Sequence, residues 1–393
     1  MIGQLTLREL ANELGAELAA SRGEDAIPGR VNTDTRALAA GDLFVALRGE
    51  RFDANDFLAQ AAAAGACGLV VERVDLSVDL PQLRVADTTA TLGQMGALNR
   101  RGFSGPLIAI TGSSGKTTVK TLVASILARA GAAAPEQVLA TQGNLNNHIG
   151  APLTLLALGQ KHRYGVIEMG ASGPGEIAYL VNLARPDVAL VNNVMPAHVE
   201  GFGSIDGVAA AKGEIYQGLS PNGKAVVNLD DLYASGWLAE LPCAEHICFS
   251  VNDKAADFHA RDIDVSAPGE LTFTLVTPIG ERTLCLPLMG AHNVANALAA
   301  AACAYGVGAD FEAICTGLQQ CDVVAGRLQV VAGQNDATLI DDSYNANPGS
   351  VRAAIDVLSH YAGKRVLVLG DLGELGAAAR EMHAELGDYA REA

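Results

Sequence analysis

The chain has 393 residues, of which 49% are hydrophobic and 18% charged, so it can bury more than one core and we expect two or three domains. Its formal net charge of −17 argues against nucleic-acid or membrane-surface binding as the main activity, because both need a basic face. No segment resembles a signal peptide and no apolar run approaches the ~20 residues of a membrane span, so we expect a cytoplasmic protein.

Residues 1–105 are predicted to form a small α/β domain, which begins with an apolar helical face from Leu7 to Leu18. A polar cluster follows in this domain, at Thr33, Asp34, Thr35 and Arg36. Hydroxyl side chains beside an arginine in a loop can hold a diphosphate, although an ordinary turn with an exposed arginine would explain the same residues.

The segment 106–322 is predicted to be a longer α/β core with a parallel sheet. Its first strand, Leu107 to Ile110, leads through TGSSGKTT into a helix with an apolar stripe. Such a loop points backbone N–H groups into a concavity, where Lys116 would add an ammonium and Thr117 a hydroxyl ligand for Mg²⁺. The predicted polyphosphate cradle, or P-loop, consists of Gly112, Ser113, Ser114, Gly115, Lys116, Thr117 and Thr118. A Gly/Ser turn before a helix is the alternative.

Polar residues follow this helix and two later predicted strands. The cluster GNLNNHIG contains Asn144, Asn146 and Asn147, which can bind amide and carboxylate groups or satisfy their own turns. Because ligands gather at the carboxyl ends of parallel strands, Glu168 at the end of YGVIEM can hold Mg²⁺. His198 follows the strand VALVNNV, and a lone histidine there is more often structural than a ligand.

Lys212 falls on the apolar face of a helix predicted to begin near Ser204, in line with Val208 and Ile215. Burial lowers the pKa of a lysine, and the neutral amine can react with CO₂ to give a carbamate, an anionic metal ligand. A lysine whose ammonium reaches solvent past the edge of the core is the alternative. A later helix, predicted from about Ala291, is expected to expose Asn293 and Asn296 toward a base or phosphate, or to use them as caps.

A third α/β unit is predicted from residue 323. Arg327 lies at its start, a strand ends at Asp341, and Asn347 is the predicted N-cap of a helix running to about Tyr361. A further strand is predicted in KRVLVLG, residues 364–370. Two strands and two helices are too few for an independent doubly wound domain, so we expect this unit to be truncated.

Taken together, the motifs resemble those of the Mur ligase family in order and spacing, over essentially all 393 residues. The motifs are TGSSGKTT, GNLNNHIG, IEMGAS, AHVEGFGS, AKGEI, HNVANALAA and IDDSYNANP. The resemblance implies an α/β fold of three domains: a UDP-sugar domain at 1–105, a central ATP-binding P-loop domain with a parallel sheet at 106–322, and a partial Rossmann-like domain at 323–393.

The resemblance also implies an activity: ATP-dependent joining of D-alanyl-D-alanine to UDP-N-acetylmuramoyl-tripeptide through an acyl phosphate, in peptidoglycan precursor synthesis. ATP and Mg²⁺ would be the cofactors of an enzyme that is expected to be monomeric and to bind neither membrane nor nucleic acid. Two alternatives stay open. One is a sister amide ligase of the folylpolyglutamate synthase kind, and the other is a nucleotide-binding module without turnover.

Roles for individual residues follow from the same resemblance. Lys116 would contact the ATP phosphates, Thr117 and Glu168 would hold one Mg²⁺, and Glu168, His198 and carbamylated Lys212 a second. The adenosine and γ-phosphate ends of ATP would be contacted by Asn293, Asn296, Arg327 and Asp341. The substrate residues would be Thr33, Asp34, Thr35 and Arg36 for the diphosphate, Asn144, Asn146 and Asn147 for the muramoyl-peptide, and Tyr344 and Asn345.

Overall fold

The structure, a computed structural model, describes residues 2–19, 23–49, 52–196, 199–243, 245–266, 270–334 and 337–393. Its strands are β1 (Glu17–Ala19), β2 (Val31–Asn32), β3 (Leu43–Val45), β4 (Gly68–Val71), β5 (Gln82–Arg84), β6 (Leu107–Thr111), β7 (Val138–Ala140), β8 (Tyr164–Glu168), β9 (Val188–Val191), β10 (Lys224–Asn228), β11 (Glu245–Ser250), β12 (Phe258–Ser266), β13 (Glu270–Thr277), β14 (Gly280–Leu286), β15 (Gln329–Ala332) and β16 (Thr338–Asp341).

The helices are α1 (Leu7–Leu14), α2 (Leu58–Ala63), α3 (Thr88–Arg101), α4 (Lys116–Leu127), α5 (Gly150–Leu156), α6 (Glu176–Ala184), α7 (Val199–Phe202), α8 (Ile205–Gln217), α9 (Ala234–Ala239), α10 (His292–Gly306), α11 (Phe311–Gln319), α12 (Pro348–Ser359) and α13 (Ala379–Glu392). None of these helices is long and apolar enough to cross a bilayer.

Two compact units make up the chain. The first unit contains Met1–Gly105, Thr141–His162 and Asn182–Ala184. The second unit contains Pro106–Ala140, Arg163–Val181 and Arg185–Ala393. The segment between Thr141 and His162 therefore belongs to the first unit, although it follows the P-loop helix in the chain.

The first unit is built on a sheet with the strand order β1-β5-β4-β3-β2, in which only the β1–β5 pair is antiparallel. Helix α1 begins with a capping box, since Thr6 accepts a hydrogen bond from the Glu9 amide while the Glu9 carboxylate accepts one from the Thr6 amide. The helix is shorter than its apolar pattern predicts. It ends before Gly15, which has φ 63°, and Leu18 lies in β1.

The second unit has a larger sheet with the order β14-β13-β12-β11-β10-β9-β6-β8-β7, parallel from β7 to β12. The strand predicted before the P-loop is confirmed as β6. Its two neighbours are β8 on one side and β9 on the other, so the order of connections reverses beside β6. Ligands bind open α/β sheets at such a switch point, beyond the carboxyl ends of the strands.

Helices α4, α10 and α11 pack into the main core of this unit. The predicted stripe of α4 is buried, with Leu122 1% exposed and Val123 and Ile126 fully buried. In α10, Ala297 and the residues through Ala304 are all fully buried, and their mostly small side chains allow this helix to pack closely. A buried leucine in such a core typically contributes about 2–5 kcal/mol, judged by the cost of truncating it to alanine.

At the end of the chain, β15 and β16 form an antiparallel pair, and α12 begins with Asn347 as its N-cap and Pro348 in its first turn, as predicted. The strand predicted in KRVLVLG is wrong. Residues 364–370 have no regular secondary structure, and Val368 is 90% exposed. A strand requires a hydrogen-bonding neighbour, and no described residue pairs with this segment.

Candidate active site

The P-loop occupies the predicted place between β6 and α4. Gly115, the last residue before α4, has φ 78°, a conformation that L-residues with a side chain rarely adopt. A Cβ at this glycine would lie 2.4 Å from Oδ1 of Asn296 and 2.5 Å from Nδ2 of Asn192. Glycine is therefore needed here both for the backbone turn and for the close approach of two amide side chains.

The loop after β9 holds the P-loop serines. The Ser113 and Ser114 amides donate to the carbonyl and to Oδ1 of Asn193, both at 2.9 Å. Ser113 Oγ also exchanges hydrogen bonds with the backbone of Met195. On its other side this loop is fixed by Asp231, whose carboxylate accepts from the Val194 amide at 2.7 Å. The P-loop conformation thus depends on residues from the neighbouring strand ends.

A chain of amide side chains runs from the P-loop into α10. Asn192 Nδ2 donates to the Ser114 carbonyl and to Asn296 Oδ1, each at 3.0 Å. Asn296 Nδ2 then donates to Asn293 Oδ1 at 2.7 Å, and Asn293 Nδ2 donates to the Met289 carbonyl. The prediction that α10 exposes Asn293 and Asn296 is wrong, because they are only 6% and 5% exposed. Their hydrogen bonds to each other and to Asn192 explain this burial.

Lys116 begins α4, and its ammonium donates to the Gly112 carbonyl at 2.7 Å. Burial lowers the pKa of Lys116, the negative charge of Glu168 raises it, and the positive charge of Arg327 lowers it further. The amine of Lys116 is therefore held inside the P-loop by a backbone carbonyl. Thr117, only 8% exposed, and Thr118, which lines the adjacent cavity, complete the predicted cradle.

Glu168 ends β8 in register with Ile110 of β6, and it is only 2% exposed. Its Oε2 lies 3.7 Å from the ammonium of Lys120, a 6% exposed residue one helical turn after Lys116. Sequence reasoning did not select Lys120. Its spacing of four residues from Lys116 was the available signal, since both side chains then lie on one face of α4.

Lys212 is buried, as its place on the helical stripe predicts. It is 2% exposed on α8, and its ammonium lies 6.0 Å from the centre of the Phe202 ring. Burial lowers its pKa to about 7, with a smaller contribution from the charge of Lys116. A substantial fraction of neutral amine is thus available near neutral pH.

Helix α8, which carries Lys212, is anchored at several points. Ser204 caps its N-terminus by accepting from the Gly207 amide at 3.0 Å. The Glu214 carboxylate accepts hydrogen bonds from the Gly175 and Ala178 amides at 2.9 Å each, at the start of α6. The Tyr216 hydroxyl donates to the Val226 carbonyl in the sheet. These contacts fix the position at which the lysine enters the core.

The oxygen donors at this edge of the sheet fit Mg²⁺. Glu168 supplies a buried carboxylate and Thr117 a hydroxyl, and Mg²⁺ prefers hard oxygen ligands of this kind. His198 lies outside the described residues. Within the described part of the chain, no group of three or more His, Cys, Asp or Glu side chains converges as in a preformed metal cage.

Arg327 faces the same region from the end of the second unit. Its guanidinium lies 4.5 Å from the centre of the Tyr344 ring, and its buried Nε has no hydrogen-bond partner among the described residues. The hydroxyl of Ser343 lowers the pKa of Asp341, and so does the Ser343 amide, which donates to Asp341 Oδ1. Tyr344 is 43% exposed, and the neighbouring Asn345 is also exposed.

A cavity of about 990 Å³ opens at this sheet edge within the second unit. Predicted residues that line it are Ser114, Gly115, Thr118, Asn293, Asn296 and Arg327. Sequence reasoning missed further lining residues, namely Asn192, Asn193, Asn228, Asp230, Asp231 and Tyr233. Asn228 is the last residue of β10 and the others follow β9 or β10, so the rule that ligands gather at strand ends was the signal that could have identified them.

In the Thr33–Arg36 cluster of the first unit, Arg36 is exposed and the other three residues are half-buried. Asp34 accepts from the Arg36 amide and from Nε and Nη2 of the Arg36 guanidinium, at 2.9 and 2.7 Å. This pairing lowers the pKa of Asp34 to about 2. Thr35 donates to Gln60 at 3.3 Å. The predicted phosphate-binding arginine is therefore paired with a carboxylate from its own cluster.

The three predicted substrate asparagines also belong to the first unit. Asn144 and Asn147 are exposed, and Asn146 is half-buried. Asn147 Oδ1 accepts from the Ile149 and Gly150 amides, at 3.2 and 2.9 Å, where α5 begins. Asn147 thus satisfies its own turn, while the Asn144 side chain faces solvent.

Comparison with known proteins identifies the family. Residues 110–304 match the family model of the Mur ligase middle domain, and residues 326–393 match that of the Mur ligase, glutamate ligase domain. The UDP-N-acetylmuramoyl-tripeptide--D-alanyl-D-alanine ligase of Escherichia coli K12 is 48% identical over 99% of this chain and 84% of that protein. The Bacillus subtilis ligase of the same name is 34% identical over 97% of this chain and 82% of its own length.

Solved structures agree. A crystal structure of MurF from Acinetobacter baumannii has a TM-score of 0.90 at 40% identity, covering 99% of this chain and 83% of that one. MurF ligase from Thermotoga maritima in complex with ADP has a TM-score of 0.79 at 30% identity, covering 92% and 81%. With relatives of this identity matched along almost its whole length, the chain belongs to the Mur ligase family and is an ATP-dependent ligase.

Proposed function

We propose that this chain joins D-alanyl-D-alanine to UDP-N-acetylmuramoyl-tripeptide with hydrolysis of ATP, in the cytoplasmic synthesis of peptidoglycan precursors. The observation that carries the proposal is the 48% identity to a ligase named for those two substrates, which the match covers along 84% of that ligase's length. The geometry of the second unit supports the proposal, because this unit contains the P-loop, the buried lysines Lys120 and Lys212, and the buried carboxylate of Glu168.

The P-loop and its neighbours would bind ATP. In this assignment Lys116 contacts the β and γ phosphates, and Arg327, whose Nε has no partner among the described residues, contacts the γ-phosphate end. Asn293, Asn296 and Asp341 are assigned to the adenosine or γ-phosphate side. Burial strengthens such charge interactions, which is how a chain of net charge −17 can attract a polyanion to one site.

Two Mg²⁺ ions would share this site and, when bound, neutralise the charge that develops on the phosphoryl group. Thr117 and Glu168 would hold one, and Glu168, His198 and carbamylated Lys212 the other. The lowered pKa of Lys212, about 7, favours the neutral amine that reacts with CO₂. Carbamylation would turn a cation at this place into an anionic ligand.

Substrate contacts are assigned in each of the two units. Thr33, Asp34, Thr35 and Arg36 are assigned to the diphosphate of the UDP-sugar. Asn144, Asn146 and Asn147 are assigned to the muramoyl-peptide, and Tyr344 and Asn345 to further substrate contacts. The Arg36 guanidinium would exchange its pairing with Asp34 for the diphosphate, since an exposed ion pair is weak.

The reaction would proceed in two steps. The terminal carboxylate of the tripeptide attacks the γ-phosphate of ATP, which gives an acyl phosphate and ADP. The amine of D-alanyl-D-alanine then attacks the activated carbonyl, forms the amide bond and releases phosphate. No protein nucleophile is required, so the chain's contribution is to align two anions and neutralise their charges through Lys116 and Arg327. We assign the enzyme a monomeric state.

Phosphate release from ATP and Mg²⁺ tests the proposal. It is measured with UDP-N-acetylmuramoyl-tripeptide, with and without D-alanyl-D-alanine, and the peptide product is identified by mass spectrometry. We expect release that requires both substrates and yields the pentapeptide product. Release that instead depends on a folate and glutamate would overturn the proposal in favour of the sister ligase, and ATP binding without any release would indicate a nucleotide-binding module.

A further inference from the structure

Lys120 is a buried cation directly beside the carboxylate assigned to Mg²⁺. Its ammonium lies 3.7 Å from Glu168 Oε2, and the two side chains are 8% and 2% exposed. Lys120 extends from the same face of α4 as Lys116, but it is not part of the P-loop. The two-step reaction gives it no role.

Burial makes this pair different from the ion pairs on the surface of the same chain. Lys224 and Glu245, for example, lie 3.5 Å apart with side chains 34% and 67% exposed, so solvent and salt screen their charges. The carboxylate of Glu168 has little access to solvent. Solvent cannot compensate a buried charge, so loss of the Lys120 charge would leave Glu168 less well neutralised while no metal is bound.

The surroundings of Glu168 are unfavourable for a free dication. Lys116 and Lys120 both interact electrostatically with Glu168, and each also experiences the positive charge of Arg327. A metal ion that approached Glu168 without an anion would be repelled by these three side chains. A polyphosphate carries the negative charge that offsets this repulsion.

We infer that Lys120 is the resident counter-ion of Glu168, a positioning residue that keeps the metal site closed to free Mg²⁺ until nucleotide phosphates replace Glu168 as its partner. Metal and nucleotide then enter together rather than metal first. The inference rests on the proposed role of Glu168 as a Mg²⁺ ligand.

Calorimetric titration with Mg²⁺ alone tests the inference, without nucleotide or substrate. The proteins are the wild type, Lys120→Met, Lys120→Arg and a control, Lys254→Met, at an exposed lysine of the same unit. Lys120→Met removes the competing charge while keeping an unbranched side chain. We expect it to bind Mg²⁺ about tenfold more tightly than the wild type, whereas Lys120→Arg and Lys254→Met bind like the wild type.

A second titration, with ATP in the absence of metal, separates this role from a purely structural one. Loss of the Lys120 charge should weaken ATP binding by roughly tenfold, so the two affinities change in opposite directions. A structural defect would weaken both. Lys120→Gln, which retains a hydrogen-bond donor beside Glu168, serves if the methionine variant does not fold.

Mg²⁺ affinity in the neutral variants that equals or falls below that of the wild type would overturn the inference. Neither titration requires turnover. Failure of the proposed ligation, which is measured by product formation, is therefore distinguished from failure of the counter-ion role.

Discussion

The P-loop of the second unit and the Thr33–Arg36 cluster of the first unit are both predicted from sequence to bind phosphate groups, yet their surroundings differ. Lys116 of the P-loop and Lys120, one helical turn later, both interact electrostatically with the carboxylate of Glu168, which is 2% exposed. The guanidinium of Arg36 is paired with Asp34, and its side chain is 83% exposed. Charges at the P-loop are buried and act strongly on one another. The charges of Asp34 and Arg36 are screened by solvent and already partly neutralise each other.

The comparison predicts that changes in the buried region have the larger effects. Lys212→Ala should lower ligation activity by about a hundredfold or more, because it removes the group assigned to carry a carbamate ligand. Phosphate release under saturating substrates measures the loss. Bicarbonate should not restore activity, but a short carboxylic acid should restore it in part. Full activity of the alanine variant would refute the carbamate assignment.

The same lysine should leave a pH signature on folding in CO₂-free buffer. Folding lowers its pKa from the ordinary 10.5 to about 7, so the unfolded chain binds more protons between these values. The resulting destabilisation is complete below about pH 7 and disappears as the pH rises toward 10.5. Chemical denaturation at pH 7 and pH 9.5 should therefore show Lys212→Met stabilised relative to the wild type, more at the lower pH.

Gly115→Ala should have the next largest effect, a loss of about 2–4 kcal/mol in the free energy of unfolding. The new Cβ would lie 2.4 Å from Asn296 Oδ1 and break the contacts among buried amides. Gly363→Ala is the matched control, since Gly363 has φ 89° but a Cβ there would meet no atom within 4 Å. Denaturant titration of both variants separates packing from backbone strain, and equal losses would mean that the amide contacts add nothing.

The Thr33–Arg36 cluster should give the smallest effects. Arg36→Met is expected to weaken binding of UDP-N-acetylmuramoyl-tripeptide by about tenfold at low salt and by less at high salt, as measured by calorimetry. Asp34→Asn should lower the denaturation midpoint only slightly, and by the same amount throughout pH 5 to 9, because an exposed ion pair contributes little. The pKa of Asp34 is lowered to about 2, so its pairing with Arg36 is lost only when the pH falls toward that value. A large shift in the midpoint would show that this pair is structural.

Much of the second unit could be predicted from local sequence. The strand before the P-loop, the apolar stripe of α4, the inward face of Lys212 and the N-cap of α12 are all present as predicted. Each of these features depends on residues that are close to each other in the chain. Periodicity and capping report such local features directly.

Other features depend on distant partners. The α10 asparagines are buried because Asn192, about a hundred residues earlier, supplies their hydrogen-bond partner. The KRVLVLG segment has the composition of a strand, but it has no partner among the described residues. Lys120 resembles any helical lysine until Glu168, from another strand, is placed beside it.

Short contiguous motifs were enough to identify the family, the P-loop and the residue types available for phosphate and metal binding. Whether each of those groups is buried, paired or exposed depends instead on contacts between distant parts of the chain. The packing of strand ends against α4 and α10 sets the distances between charges and amides, and those distances determine which residues can act together.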